Sequence, residues 1–337
     1  MSLGDYNLDD GDWNLLLERI KDKKCTPIVG SGAVTGGPPK GVATDKWTFQ
    51  YPISSALAQK WATDFKYPLD DATRIERVAQ FVSVYTDKSW PRDTIARQLA
   101  EADPPDLTPE NEPHRVLAEL GLPVYITSNF DDYLERALLK EDKDVHVSIC
   151  RWNKYIPLDA PAYDPDPAKC DPVGRYAIVA KGEDGKLTYR TADDSYNPTV
   201  ANPLVYHIHG HMQWSASLVV TEDDYFEFLL NLAKDWPTLF LQRIRESFGS
   251  GSLLFLGYKL RDWDFRVLLC LLANTLREGA YGHIAVQLSP MSGAQATDEA
   301  KAASAARYLG KYFEEPKIKV YWGTCQEFIA ELKRRRA

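Results

Sequence analysis

Three histidines stand at alternate positions in VYHIHGHMQW, residues 205–214: His207, His209 and His211, half of the six in the chain. Imidazole titrates near neutrality, so it can move a proton or bind a metal. Alternate residues of a strand project to one face, and an extended run would align all three rings. The run is compatible with a metal site, with one catalytic histidine beside two bystanders, and with structural histidines at a strand end. A metal site would need further ligands from elsewhere, and nothing in the sequence fixes which. Three other stretches carry groups for chemistry. Gly30-Ser31-Gly32-Ala33 is a glycine turn whose free N–H groups can bind pyrophosphate oxygens. The next glycines, Gly36 and Gly37, match the G-x-G-x-x-G spacing incompletely, so an ordinary strand-to-helix turn fits as well. Thr127-Ser128-Asn129-Phe130-Asp131-Asp132 sets an amide among carboxylates and can orient a ligand amide or ribose, although capping the next helix would use one of these residues. Gly257-Tyr258, followed by Arg261-Asp262, allows close backbone approach to a ligand.

These groups need elements to hold them. Short apolar stretches near 25, 123, 205, 253, 283 and 318 read as six strands, most of them separated by helical periodicity. Several are continuously apolar, as strands covered on both faces are. The pattern predicts an α/β fold with a doubly wound, mostly parallel, six-stranded sheet, in which ligands bind at the carboxyl ends of the strands. The four chemistry-bearing stretches fall at such ends. Helices near 53–65, 72–86, 91–101 and 113–120 form a helical insertion over 45–120, within one domain covering 1–337. A hairpin is expected at 176–190 around Asp184-Gly185, and a further short strand at SLVVT, 217–221. Thr221 and Asp224 form a capping box for a helix reaching Lys234, with another helix in PTLFLQRIRESF and one in DWDFRVLLCLLANTLRE. The Pro/Asp-rich stretch 157–172 reads as a lid or an oligomer contact.

Composition excludes some classes. The net charge is −8 and the pI about 5.4, so general electrostatic binding to nucleic acid is not expected. The basic run Lys333 to Arg336 suits the end of a helix. No apolar run reaches the ~18–20 residues of a membrane span, and the acidic start MSLGDYNLDDGDW is no signal peptide. Five scattered cysteines without a C-x-x-C point to reduced thiols in the cytoplasm.

The ordered set IVGSGA, ITSNFDDYLERAL, VYHIHG and LLFLGYKLRDWD resembles the sirtuin family. It resembles more closely the sirtuin-like domains of bacterial NAD hydrolases used in anti-phage defence. Smaller echoes are RVAQFV, PHRVLAEL, TEDDYFEFL and VYWGTCQEFIAEL, so the likeness spans nearly the whole chain. The resemblance implies a Rossmann-like fold with NAD as substrate. It implies that Gly30, Ser31, Gly32 and Ala33 cradle the pyrophosphate, with Ser128 also at the cofactor. It places Asn129 and Asp131 beside the nicotinamide and its ribose, makes His209 the catalytic histidine with His207 and His211 incidental, and brings Gly257 and Tyr258 to the adenosine side.

Two departures separate this chain from the deacylating sirtuins. Those carry a four-cysteine zinc module after the catalytic histidine, whereas Cys270 and Cys325 alone follow His209; no zinc or other metal is expected. Their P-x-F-R after the glycine loop is replaced here by GGPPKG. Both losses argue against peptide deacylation and leave cleavage of NAD to nicotinamide and ADP-ribose as the expected activity. The alternatives are a non-catalytic scaffold that binds NAD or ADP-ribose, and an NAD-dependent protein deacylase. Such a hydrolase would be lethal unregulated, so control is expected through homo-oligomerisation or, by family analogy, through a partner ATPase or an argonaute-type protein.

Overall fold

The short apolar runs become strands because covering them on both faces removes the most apolar surface from water. The computed structural model describes residues 7–35, 51–157, 160–162, 175–192, 196–258, 282–287, 299–314 and 317–336. Among these, nine strands form one sheet: β1 Cys25–Val29, β2 Val124–Thr127, β3 His146–Ile149, β4 Ala177–Lys181, β5 Leu187–Thr191, β6 Leu204–His207, β7 Ser252–Leu256, β8 His283–Gln287 and β9 Ile318–Trp322. Their order is β5-β4-β3-β6-β2-β1-β7-β8-β9. Every pairing from β3 to β9 is parallel, and the β4–β5 hairpin closes one edge antiparallel. The chain winds outward from β1 in both directions, which is the doubly wound, Rossmann-like arrangement.

All six expected strands are present, but the sheet has nine. The additions are β3 and the hairpin, which joins the sheet through Val147 and His146 of β3. A four-residue run such as HVSI has too little pattern to declare itself; pairing with β6 makes it a strand. The strand expected at 217–221 is not one. Leu218, Val219 and Val220 are buried and follow a 3-10 turn at Ser215–Ser217, and Val219 N–H donates to the His209 carbonyl at 3.0 Å without forming a ladder. The helix expected in 262–278 and most of the loop 157–172 lie outside the described residues.

Helices cover both faces: α1 Asp10–Lys21, α2 Gly32–Thr35, α3 Ser55–Asp64, α4 Ile75–Tyr85, α5 Trp90–Glu101, α6 Pro113–Glu119, α7 Tyr133–Lys140, α8 Glu222–Leu239, α9 Gln242–Ser250, α10 Glu299–Tyr312 and α11 Cys325–Arg336. Strand residues alternate between two cores. Ile126, Tyr206 and Phe255 meet Phe228, Ile244 and Phe248 of α8 and α9; Tyr125, Val205 and Leu254 meet Leu134, Leu138 and Phe328 of α7 and α11. The capping box of α8 forms as expected, with Thr221 and Asp224 bonded reciprocally. That helix runs on through Lys234 to Leu239, and a break at Phe240–Leu241 separates it from α9.

Helices α3 to α5 build a third core from Leu57, Trp61, Val78, Val82, Ile95 and Leu99, closed against Leu218 and Val220. By contrast, α6 puts Val116 and Leu117 into the core it shares with α1 and α7. Three side chains of the α3–α5 block take the three acids that open α8: Arg77 on Glu222 at 3.1 Å, Gln80 on Asp223 at 2.9 Å and Arg92 on Asp224. Among the described residues no helix is long and apolar enough to cross a membrane.

Candidate active site

The four motif-bearing strands are neighbours in the sheet, in the order β6-β2-β1-β7. All are parallel, so the residues that follow them share one edge. The reversal of winding lies between β1 and β7, where open α/β sheets leave a ligand crevice.

At this crevice the glycines serve the protein's own packing. Gly30 N–H donates to the Leu256 carbonyl and Gly32 N–H to the Gly257 carbonyl, both at 2.8 Å, and Ala33 N–H donates to the Gly30 carbonyl at 3.1 Å. Gly257 has φ +77°, and a Cβ there would lie 2.3 Å from the Ala33 nitrogen. The turn expected to offer free amides to a pyrophosphate thus spends those of Gly30 and Gly32 on locking β1 to β7. Tyr258 adds to the lock: its hydroxyl lies 3.2 Å from the Val29 carbonyl and 2.9 Å from Ser128 Oγ. Gly36 and Gly37, and Arg261 and Asp262, lie outside the described residues.

At the end of β2, Thr127 Oγ1 donates to the Val29 carbonyl at 3.1 Å and accepts the Asn129 N–H at 2.9 Å. Asp131 accepts the Tyr133 N–H at 3.2 Å and the Tyr51 hydroxyl at 2.8 Å, so both its oxygens have protein partners. Burial pushes its carboxyl up to about 6, against the opposing pull of His114 and the Tyr51 bond. Asp132 holds Arg136 with two bonds, at 2.7 and 2.8 Å. The side-chain amide of Asn129 hydrogen-bonds to none of the described residues, and 5% of the residue stays exposed.

The three histidines do not line one face. Pairing of β6 with β2 ends as Ile208 N–H meets the Thr127 carbonyl at 2.8 Å. The chain then reverses through Gly210, φ +91°, where a Cβ would lie 2.2 Å from the Ser217 carbonyl oxygen and only glycine fits. His209 turns toward α8, edge-on to Phe228 with ring centroids 5.0 Å apart and to Tyr225 at 5.7 Å. Apolar burial lowers its pKa to about 4, so the ring is neutral at pH 7. Its ring nitrogens bond to none of the described residues.

His207 and His211 instead meet Glu135 of α7, all three fully buried. His207 Nε2 lies 2.7 Å from Glu135 Oε1, and its Nδ1 lies 3.1 Å from the Asn129 carbonyl. A carbonyl only accepts, so Nδ1 carries a proton. Burial opposes charge on this pair. The attraction of Glu135 nonetheless raises the His207 pKa, and His207 and His211 hold the Glu135 carboxyl well below the usual range. His211 is pushed down by burial and by the His207 charge.

These three residues offer ligand atoms within 4.8 Å of one another, a spacing that could hold a cation. The tautomer of His211 opposes this. Its Nδ1 accepts the Gln213 N–H at 3.1 Å, so the proton of the neutral ring sits on Nε2, 3.2 Å from the Tyr189 hydroxyl. Metal-bound histidines normally donate from the second nitrogen; here that nitrogen accepts. The trio suits a hydrogen-bonded network better than a metal centre.

Sequence reasoning missed Glu135, Tyr51 and Tyr189. Glu135 had a signal: it shares the stripe of Leu134 and Leu138 along α7, the face that helical periodicity buries. Tyr51 and Tyr189 had none, since each arrives from a distant segment. Of the other histidines, His114 bonds Glu112 at 2.8 Å through Nδ1. Of the strand histidines, His146 stacks on Tyr196, and His283 accepts the Leu253 N–H through Nδ1.

The model of the SIR2-like domain matches residues 123–316. The chain belongs to the SIR2-like domain family. The SIR2-like match opens at the start of β2 and takes in Ser128, Asn129, Asp131, His209, Gly257 and Tyr258, while the glycine turn Gly30–Ala33 precedes it. The chain is also similar to the NAD(+) hydrolase ThsA of Enterococcus faecium, at 24% identity over 176 residues. That alignment covers 52% of this SIR2-like chain and 28% of the relative, so the chain spans under a third of that protein's length.

Proposed function

We propose that this SIR2-like chain hydrolyses NAD at the nicotinamide–ribose bond, giving nicotinamide and ADP-ribose, in the bacterial cytoplasm as an effector of anti-phage defence. The observation that carries the reading is the pairing of Asn129 and His209. They stand at the ends of neighbouring strands, almost buried, with polar atoms that no described residue takes up. Polar groups at the carboxyl ends of parallel strands, not used by the described fold, stand where open α/β sheets bind ligands.

The chemistry follows from these groups. The bond between C1′ of the ribose and the ring nitrogen breaks, its electron pair leaving with a neutral nicotinamide. Water adds to the sugar carbon and gives up one proton. The Asn129 amide orients the water or the nicotinamide carboxamide. His209, neutral at pH 7, takes the proton as general base. Asp131, with both oxygens engaged, ties the loop that carries Asn129 to the start of α7 through the Tyr133 N–H and to the distant Tyr51 through its hydroxyl. Control by self-association, by a partner ATPase or by an argonaute-type protein belongs to the same proposal, because unchecked loss of NAD would kill the cell that makes the enzyme.

The test is nicotinamide release from NAD by the purified protein beside Asn129→Ala and His209→Ala. Release by the parent and by neither variant supports the reading. Equal release by all three refutes the assignment of the site. NAD bound tightly with no product, with candidate activators supplied, favours the scaffold, and turnover that requires an acylated peptide favours the deacylase.

A further inference from the structure

We propose that Glu135 and His207 are positioning residues for Asn129, holding its main chain through the bond from His207 Nδ1–H to the Asn129 carbonyl. The inference rests on the hydrolase reading for its kinetic consequence and stands on geometry for the rest.

The Asn129 main chain is held at both ends of the residue. Its N–H donates to Thr127 Oγ1 at 2.9 Å and its carbonyl faces His207 Nδ1 at 3.1 Å. Its neighbours are also pinned: Ser128 N–H donates to the Val29 carbonyl at 2.9 Å, and Met212 N–H to the Phe130 carbonyl at 2.8 Å. With the backbone fixed on all sides, the side-chain amide is left to face the ligand edge.

His207 can play this part because Glu135 fixes its ring. Oε1 of Glu135 takes Nε2 at 2.7 Å, which leaves Nδ1 aimed at the carbonyl. His211 packs edge-on against His207 with centroids 4.6 Å apart and its Nε2 3.5 Å from the same oxygen, closing the other side. None of the three is exposed, so water does not compete for these bonds. Burying such a pair costs more than burying apolar residues of equal volume. What an apolar pair cannot supply is a donor for the Asn129 carbonyl.

The experiment compares His207→Leu, His207→Asn, Glu135→Leu and Glu135→Gln in the full chain, with two readouts. The first is NAD cleavage. A displaced orienting group lowers kcat by about 10–100-fold, and His207→Leu and Glu135→Leu do so with KM for NAD within about threefold of the parent. Asn and Gln amides replace the lost bonds, so His207→Asn and Glu135→Gln recover most of the loss. The second readout needs no activity. Asn129-Phe130 is the sole Asn-Phe step in the sequence, so carbonyl-13C asparagine with 15N phenylalanine gives one NMR cross-peak, that of the Asn129 carbonyl. His207→Leu shifts this carbonyl upfield as the hydrogen bond is lost, and His207→Asn restores it.

A folded His207→Leu protein with an unmoved cross-peak overturns the proposal, as does a moved cross-peak with unchanged kcat. A parent protein that never cleaves NAD sinks the hydrolase reading instead, and the cross-peak still decides whether His207 holds Asn129. Should His207→Leu fail to fold, the Glu135→Gln and Glu135→Leu pair carries both readouts.

Discussion

His207 and His209 are two residues apart and serve opposite faces of the sheet: His207 bonds Glu135 of α7 at 2.7 Å, while His209 meets the ring of Phe228 of α8 edge-on at 5.0 Å. Substitutions at the two positions should therefore fail differently. His209→Asn is expected to reduce NAD cleavage by about 10²–10⁴-fold, the usual loss for a general base, with little change in melting temperature. His207→Ala leaves the Glu135 carboxylate buried without its partner, which costs about 3–5 kcal/mol. Denaturant titration beside nicotinamide release separates the two; equal destabilisation by both would contradict the division.

Asp131 and His209 titrate in opposite senses over the same range. Burial holds the Asp131 carboxyl at about 6 in the folded chain, against 3.8 for an ordinary aspartate. The folded state therefore holds this proton longer than the unfolded one, and between these values stability falls as pH rises. That rise corresponds to roughly 3 kcal/mol, so Asp131→Asn should gain stability over the parent from pH 4 to 7 and hold it above. His209, lowered from 6.5 to about 4, does the reverse: its contribution is present above 6.5 and is lost as pH falls toward 4. Urea midpoints of the parent, Asp131→Asn and His209→Asn across pH 4–8 check both signs. A flat difference curve for either variant would disprove its assignment.

The Glu135, His207 and His211 network should work without metal, because His211 Nδ1 accepts the Gln213 N–H and leaves the proton on Nε2. Extended treatment with a strong chelator is expected to leave NAD cleavage and melting temperature unchanged. Elemental analysis showing one equivalent of zinc, lost on His207→Ala, would establish a metal centre there instead.

Glycine is required at 257 and dispensable at 185, although both have positive φ. A Cβ on Gly257 would lie 2.5 Å from the Gly30 carbonyl oxygen, whereas one on Gly185 would meet nothing within 4 Å. Gly185→Ala should cost about 1 kcal/mol, the left-handed penalty alone. Gly257→Ala adds a backbone clash and should exceed about 3 kcal/mol while disordering the glycine turn. Thermal unfolding of the two variants checks the contrast, and similar costs would show that the β1–β7 lock yields.

Much of the architecture was legible locally. Continuous apolar runs of four or five residues marked the strands at 25, 124, 204, 252, 283 and 318, because strands covered on both faces leave no polar alternation. Thr221 and Asp224 declared the start of α8 through a contact three residues long. The strand β3 and the sheet membership of the hairpin were not legible, since four-residue segments take their conformation from the partners they pair with.

At the candidate site the same division holds. Residue types and their order alone determined which groups gather at the strand ends, because a parallel sheet puts every carboxyl end on one edge. The tertiary structure decided what each group faces. The glycine amides turned inward because β7 runs beside β1, and Tyr51 reached Asp131 from 80 positions away. Period-two alternation placed three imidazoles together, but it holds only while a strand stays paired. Pairing with β2 ended at Ile208, and Gly210 reversed the chain under Ser217. That left His209 facing α8 and joined His207 to His211 across Glu135.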